Sequence, residues 1–335
     1  LVLGGPGAFP LGLALSSITT ILIYIVLAIF VALGLDPIVR WLERNGLSRP
    51  RGILVVFGAF VLILAVIIVF VLPAVLQQGA EFARAVPMSI TQFQASDWYR
   101  SFEAQVGDVM GTALDQLKVF FADPANLLAI GGGLLAAGFG IGTAISGVII
   151  VVVLTLYFLA SLTSIKAAFY SLAPARDRKT LKSLTERITD SIGGYLIGMV
   201  ILAACNAVFA TLLHIFLGLP FPAFMGLAAF LITLIPLIGP VTYWIIASLI
   251  ALLTDPLLAL IFALLYLIYM QFEAYLLTPR IMNKAIAVPG ALVIIGALIG
   301  GTLLGLLGAL VSIPVTAAIL LIIKQVHVPR QDAKI

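Results

Sequence analysis

Apolar and polar positions along this chain fall in blocks rather than in alternation: long uncharged runs separated by short charged loops. Runs of single-span length, which means roughly 20 apolar residues, lie at Leu11–Leu35, Ile53–Leu72, a glycine-led stretch ending near Ala160, Ser191–Phe216 and Leu257–Leu277. Two further runs do not fit that length. Pro222 to Leu253 and Pro289 to Ile323 carry no charge. Each is too long for one simple span and too short for two with a turn. Pro236, Gly239 and Pro240 interrupt the first; Gly296, Gly300, Gly301, Gly305, Gly308 and Pro314 interrupt the second. Each proline removes a backbone donor, and Pro240 biases Gly239 away from α geometry. The first run therefore reads as two half-helices meeting at an unwound tip at membrane depth. Bare backbone is tolerated there only inside protein or along a watery cavity, and such broken helices point to a transport site. The competing reading is one long, tilted, proline-kinked helix.

Between the apolar runs, Asp36-Pro37 and Pro73 are expected to end the first two spans, and residues 38–51 read as a short interfacial helix in a basic loop. Gln77 to Asn126 is the long polar segment. Its acids (Glu81, Asp97, Glu103, Asp108, Asp115, Asp123) outnumber its bases (Arg84, Arg100, Lys118). Trp98, Phe102, Val106, Met110, Leu114, Leu117 and Phe121 recur in it at helical spacing, which predicts an amphipathic extramembrane helix. Its polar face is not basic, so packing against protein is favoured over lying on a bilayer. Gly131–Gly133, Gly138, Gly140, Gly142 and Gly147 suit close helix approach. They are not a phosphate loop, because no Gly-Lys-Ser/Thr follows.

Composition narrows the class. Of 335 residues 63% are hydrophobic and 10% charged, and the mean hydropathy is +1.24. No soluble domain of this size has that profile, so the chain is read as an all-α, polytopic membrane protein. The net charge of +4 does not call for nucleic acid, because basic residues mark cytoplasmic loops in a membrane protein. The clusters at 40–51, 166–187 and 324–334, with Arg280 and Lys284, all fall on one side in a single topology that leaves the acidic segment outside and the C-terminus in the cytoplasm. The single Cys205 excludes an internal disulfide, and only His214 and His327 are available as imidazole ligands, so no metal is expected. The chain opens on Leu1 rather than methionine, and residues 1–10 read as the end of a truncated helix plus a turn, so a true N-terminus is expected upstream. The organisation is then 1–75, N-terminal spans with a basic loop; 76–130, the acidic helical segment; 131–190, a span and second basic loop; 191–323, a transport core; and 324–335, a cytoplasmic tail.

That topology makes the core an inverted repeat. Span 191–216 runs outward and is followed by a broken hairpin entered from outside; span 257–277 runs inward and is followed by one entered from inside. Such an arrangement brings two tips toward the bilayer midplane, the usual place of a transporter's site.

Several local patterns carry a resemblance. They are Asp36-Pro37-x-x-x-Trp-Leu-Glu-Arg-x-Gly, Ile235-Pro236-Leu-Ile-Gly239-Pro240, and Gln271-x-Glu273-x-x-x-Leu-Thr278-Pro279-Arg280-Ile281-Met282 followed by the glycine-rich run to Ile313-Pro314. In this order, over nearly the whole chain, they resemble the autoinducer-2 exporter family of bacterial membrane proteins. The resemblance implies seven or eight spans, two of them re-entrant-type hairpins, in the inner membrane, and a ring-like homo-oligomer such as a pentamer. It also implies transport, either of the autoinducer-2 type or as Na⁺/H⁺ antiport. The Pro-x-x-Gly signature has no acid beside it here, which argues against a carboxylate at the hairpin tip as the ion ligand.

Candidate site residues come from the rule that intramembrane ionisable groups are functional hypotheses by default. Glu273, two residues after Gln271 and one turn from Tyr269, is the candidate proton or cation carrier; the alternative is a helix-end carboxylate paired with Arg280 or Lys284. Asp190 is read either as a second carrier or as a favourable charge at a helix start, and Asp255 as a helix cap. Asn206 and His214 are polar groups in a span, with helix-to-helix hydrogen bonding as the plainer reading. Pro236, Gly239, Pro240, Gly300 and Gly301 form the expected tips, with hydroxyls from Thr233, Thr242, Tyr243, Thr302 and Ser312 near them. Such a lining suits a small polar solute or a partly dehydrated cation. The expectation is an inner-membrane secondary transporter moving a small polar solute on an ion gradient, with Na⁺ or H⁺ as coupling ion and no other cofactor. Na⁺(Li⁺)/H⁺ antiport is the first alternative and a passive oligomeric channel or scaffold the second. No paired-carboxylate, Ser/His or metal constellation of an intramembrane enzyme is present.

Overall fold

The computed structural model describes residues 8–107, 109–123, 141–235, 238–282, 289–323 and 328. Among them there is no strand. In chain order the helices are α1 (Ala8–Arg44), α2 (Arg49–Val66), α3 (Leu72–Gln94), α4 (Asp97–Val106), α5 (Val109–Ala122), α6 (Ile141–Ser171), α7 (Arg178–Phe216), α8 (Pro222–Thr233), α9 (Ile238–Leu252), α10 (Pro256–Phe272) and α11 (Gly290–Ile322). Five described stretches are long and apolar enough to cross a membrane: Thr20–Arg44, Arg49–Gln94, Ser146–Ser171, Arg178–Phe216 and Pro256–Ile281. Large apolar side chains such as Leu54, Phe70, Val153 and Leu260 face outward along them, as hydrocarbon solvent allows.

Pro37 and Pro73, expected to end helices, do not end them, and neither does Pro279. α1 continues through Pro37 to Arg44, so the interfacial helix is the end of the first span. Pro37 has no N–H for the carbonyl of Leu33, four residues back. Gly193 of α7 packs against that oxygen: a β-carbon there would lie 2.6 Å from it and 2.7 Å from the Pro37 ring. Pro73 and Pro279 are accommodated differently. A π turn, Ile67–Val71, joins α2 to α3, and another, Glu273–Leu277, joins α10 to a last turn at Thr278–Ile281. In both, the proline stands two residues past the π turn. The amide just before it reaches back five residues, from Leu72 to the Ile67 carbonyl and from Thr278 to the Glu273 carbonyl. The wider turn relieves the clash between the proline ring and the carbonyl four residues back, so the helix continues.

Both long uncharged segments fold back as hairpins. In the first, α8 and α9 pack on each other through Met225, Ala229 and Thr233 on one arm and Tyr243, Ala247 and Ala251 on the other, all buried. Their tip holds Gly239 against the carbonyl of Ile232 and the α-carbon of Thr233. Pro236 lies outside the described residues. The entry to α8 is unusual: Phe221 has φ 59° and offers no side-chain cap. Gln78 of α3 supplies one instead, its Oε1 accepting from the amides of Ala223 (2.9 Å) and Phe224 (3.1 Å). In the second segment, a β-carbon on Gly296 would meet the Thr316 hydroxyl at 2.9 Å, and one on Gly300 would meet the Gly308 carbonyl and Ser312. Residues twenty apart in a straight helix are about 30 Å apart, so α11 doubles back, with apolar arms at Gly290–Thr302 and Val311–Leu320.

The acidic segment departs from the single amphipathic helix expected. Ser96 caps α4, accepting from the Tyr99 amide, and Gly107 at φ +83° ends it, so the stripe is split between α4 and α5. The partner of its apolar face is the same chain: Leu114 and Tyr99 pack with Val86, Ile90 and Phe93 of α3. The glycines 131–140, Asp108 and the basic tail 329–335 lie outside the described residues.

The chain divides into two compact units. One holds the described parts of 1–61, 146–198 and 282–335, the other those of 62–145 and 199–281. Adding a methyl at Gly239 would drive it into backbone that cannot move aside, which costs about 1–3 kcal/mol. Gly239→Ala is therefore expected to lower the melting temperature of the purified protein in detergent by several degrees. Gly58→Ala, in a helix with nothing within 4 Å of the new atom, is expected to leave it unchanged or slightly raised.

Candidate functional site

α10 starts from Asp255, whose Oδ1 accepts from the amides of Leu257 (2.8 Å) and Leu258 (2.9 Å), the cap expected from sequence. Its buried face carries Ala259, Phe262, Tyr266 and Tyr269. Glu273 would be the next member of that series one turn on, and it is the first residue of the π turn. π turns are frequent at functional sites. Here the turn exists because of Pro279, so a backbone constraint six residues downstream determines where this carboxylate sits.

Across from it, on the later part of α7, Asn206 is fully buried. Its Oδ1 accepts from the Tyr266 hydroxyl at 2.7 Å, and its Nδ2 donates to Glu273 Oε2 over a long 3.4 Å. The Tyr269 hydroxyl lies beside the same carboxylate without reaching hydrogen-bond geometry. Aromatic rings hold the group in place: Phe209 stacks on Tyr269 with centroids 4.1 Å apart at 10°, and Phe262 on Tyr266 at 5.7 Å and 16°. Among the described residues no ion pair reaches Glu273. Arg280, one expected partner, is exposed; Lys284, the other, lies outside the described residues. Glu273 is thus a half-buried carboxylate held by neutral groups only. His214 is satisfied structurally, its Nδ1 donating to the Ala210 carbonyl at 2.9 Å and its ring edge-on to Phe262.

The other expected site residues are spread over several elements. Gly239, Pro240 and Thr242 occupy the first turn of α9, with Gly239 buried and the other two half-buried. Tyr243, next to Thr242, joins this arm to the carboxylate group through its ring contact with Tyr266, 5.3 Å between centroids. Gln271 is exposed and makes no contact with Glu273 among those described. Gly300 and Gly301 lie in the first arm of α11, where Gly300 closes that hairpin. Asp190 is not at a helix start, because α7 begins at Arg178; it is exposed and ion-paired to Arg40.

That pair belongs to a polar cluster that sequence reading missed. Asp36, with only 4% of its side chain exposed, lies 2.9 Å from Arg40 Nε and 3.1 Å from Arg49 Nη2, and Arg49 also reaches Glu43 at 3.3 Å. Nearby on α7, Glu186 accepts from Lys166 and Tyr170, both at 2.9 Å, and Lys166 also donates to Thr189. The available signal was the i,i+4 spacing of Asp36 and Arg40, which the assumption of a helix end at Pro37 concealed.

The model of the AI-2E family of transporters matches residues 8–327 of the chain. The chain belongs to that family. It is 24% identical to the AI-2 transport protein TqsA of Escherichia coli over 318 residues, covering 91% of this chain and 86% of the relative. It is also 24% identical to YrrI of Bacillus subtilis, covering 90% and 85%, and 26% identical to sll0063 of Synechocystis, covering 94% and 81%. This AI-2E transporter is therefore a multi-pass membrane protein whose polar groups gather into an ionic cluster around Asp36 and a neutral-partnered one around Glu273. Asp36 and Asp190 of the ionic cluster should behave differently on removal. Asp36→Ala removes the buried carboxylate that Arg40 and Arg49 share and is expected to cost about 3 kcal/mol, read as a large drop in melting temperature in detergent. Asp190→Asn breaks a solvent-exposed pair worth less than about 1 kcal/mol and is expected to leave the melting curve nearly unchanged.

Proposed function

We propose that this AI-2E transporter is a secondary transporter of the bacterial inner membrane, with its C-terminus in the cytoplasm, that moves a small polar solute or signal molecule on an ion gradient, with Glu273 as the coupling carboxylate. One observation carries the reading: Glu273 sits in a π turn, accepts a hydrogen bond from Asn206, and has no ion pair among the described residues. A carboxylate clamped by arginine stays ionised, whereas one with neutral partners binds and releases a proton or a cation without breaking an ion pair. The hairpins support it. The arms α8 and α9, of 12 and 15 residues, are about 18 and 22 Å long, short of the roughly 30 Å of hydrocarbon, as re-entrant half-helices would be. The relative TqsA carries the name of an AI-2 transport protein, which makes a small oxygen-rich signal molecule the first solute to try. Na⁺/H⁺ antiport is the second reading, favoured by the oxygens of Glu273 and Tyr269 standing side by side.

Proteoliposomes holding a pH-sensitive dye under an imposed proton gradient test this. In the antiport reading, Na⁺ or Li⁺ added outside drives proton movement, and Glu273→Gln reduces it to the level of empty liposomes. If no alkali cation moves protons, counterflow of labelled autoinducer-2 is the next assay, with the same variant expected to uncouple it from the gradient. Full coupled transport of either species in Glu273→Gln would remove Glu273 from the mechanism.

A further inference from the structure

Tyr243 is completely buried, yet its hydroxyl has no hydrogen-bond partner among the described residues. A buried hydroxyl without a partner is destabilising, and phenylalanine would fill the same space without that penalty. The position of the hydroxyl suggests what it serves. The Tyr243 ring lies against Tyr266, whose hydroxyl is committed to Asn206, the residue that holds Glu273. On the other side of Tyr266, with ring centroids 6.0 Å apart, stands Tyr269 beside the carboxylate. Three tyrosine hydroxyls thus run from the first turns of α9 to Glu273, and those of Tyr243 and Tyr269 have hydrogen-bonding capacity left over. Among the described residues the titratable groups facing Glu273 are Tyr266 and Tyr269, with Cys205 beside Tyr269, and none of them carries a fixed positive charge.

We propose that the Tyr243 hydroxyl holds an internal water next to Tyr266 and Tyr269, and that this water is the route by which Glu273 exchanges its proton. A buried polar group of this kind is where ordered water is found in proteins. In the exchange step each oxygen along the route gives one proton forward and takes one from behind. The net change is one proton gained by a Glu273 oxygen and one lost from bulk water, with no bond between heavy atoms made or broken. Tyr243 is a positioning residue in this account, acting through the water it holds. The inference rests on the reading of Glu273 as the coupling carboxylate.

Infrared spectroscopy of the full chain in lipid vesicles tests it without a known solute. The carboxyl band of protonated Glu273 is assigned by its absence in Glu273→Gln, and its shift is followed after a switch from H₂O to D₂O. Tyr243→Phe is expected to slow that exchange about tenfold while the melting temperature stays the same or rises. An unchanged exchange rate overturns the role of Tyr243 and leaves Glu273 as the proton site. Slowed exchange with a melting temperature several degrees lower assigns the hydroxyl to structure and also overturns it. If Glu273→Gln removes no carboxyl band at any pH, the reading of Glu273 fails and this inference fails with it.

Discussion

In a hydrocarbon solvent each backbone carbonyl must find its donor within the protein, because leaving one bare costs several kcal/mol. Proline removes a donor wherever it falls in a helix, and this chain meets that cost in three ways. At Pro37 the helix continues and Gly193 from α7 covers the freed Leu33 carbonyl. At Pro73 and Pro279 the helix widens into a π turn and runs on. Between α8 and α9 the helix gives way and the chain turns back on itself, with Gly239 tucked against the arm it has just left. Which outcome occurs depends on what is at hand. A glycine on a neighbouring helix permits the first, a π turn two residues ahead of the proline the second, and Gly239, close against the backbone of the preceding arm, the third.

The same constraint positions the chemistry. Glu273 lies at the start of the π turn that Pro279 imposes, and an inserted residue rotates the downstream helix by roughly 100° relative to an unbroken one. The aromatic series Phe262, Tyr266 and Tyr269 thus packs inward on the regular part of α10, and the carboxylate stands where the register changes. Asn206 then supplies the one amide able to bridge this helix to α7, with its acceptor used by Tyr266 and a donor turned to Glu273. Close packing of the α8–α9 hairpin through Ala229, Ala247 and Ala251 lets Tyr243 reach Tyr266, and so ties the hairpin to the carboxylate through contacts between rings.

The sequence made the hairpins legible, because an uncharged run longer than one span and shorter than two has few solutions in a bilayer. It also made Glu273 and Asn206 legible singly, as polar groups where apolar ones belong. Their pairing was not legible: 67 positions separate them, and no periodicity connects residues on two different helices. Proline was read too strongly as a terminator, since the rule comes from helices whose ends can be solvated by water. In apolar surroundings ending a helix exposes several orphan groups at once, so bending or widening it is the smaller cost. That error hid Asp36: with the span taken to end there, its helical spacing to Arg40 went unread, whereas four residues later the same helix returns Arg40 to it. The stripe Trp98–Phe121 was misread in the opposite direction, because apolar spacing continued across Gly107 while the backbone did not.

Asp36 and Glu273 show how neighbours divide the roles of two carboxylates. Asp36 is buried and Glu273 half-buried, and each is close to a proline in sequence. Asp36 faces two guanidinium groups, so its charge is neutralised in place and any departure strands cations whose partners are few. A group so held fixes helices to one another. Glu273 faces an amide and phenols, which have a hydrogen bond to give but no charge to cancel. In the proposed mechanism its charge comes and goes with something mobile, either a proton or a cation, since no fixed partner among the described residues balances it. The element that can move with it is close by: a π turn has weaker hydrogen-bond geometry than the α-helix on either side, and Glu273 is its first residue. In that proposal charge change and backbone rearrangement fall on the same few residues, which is what coupling an ion to a conformational step requires.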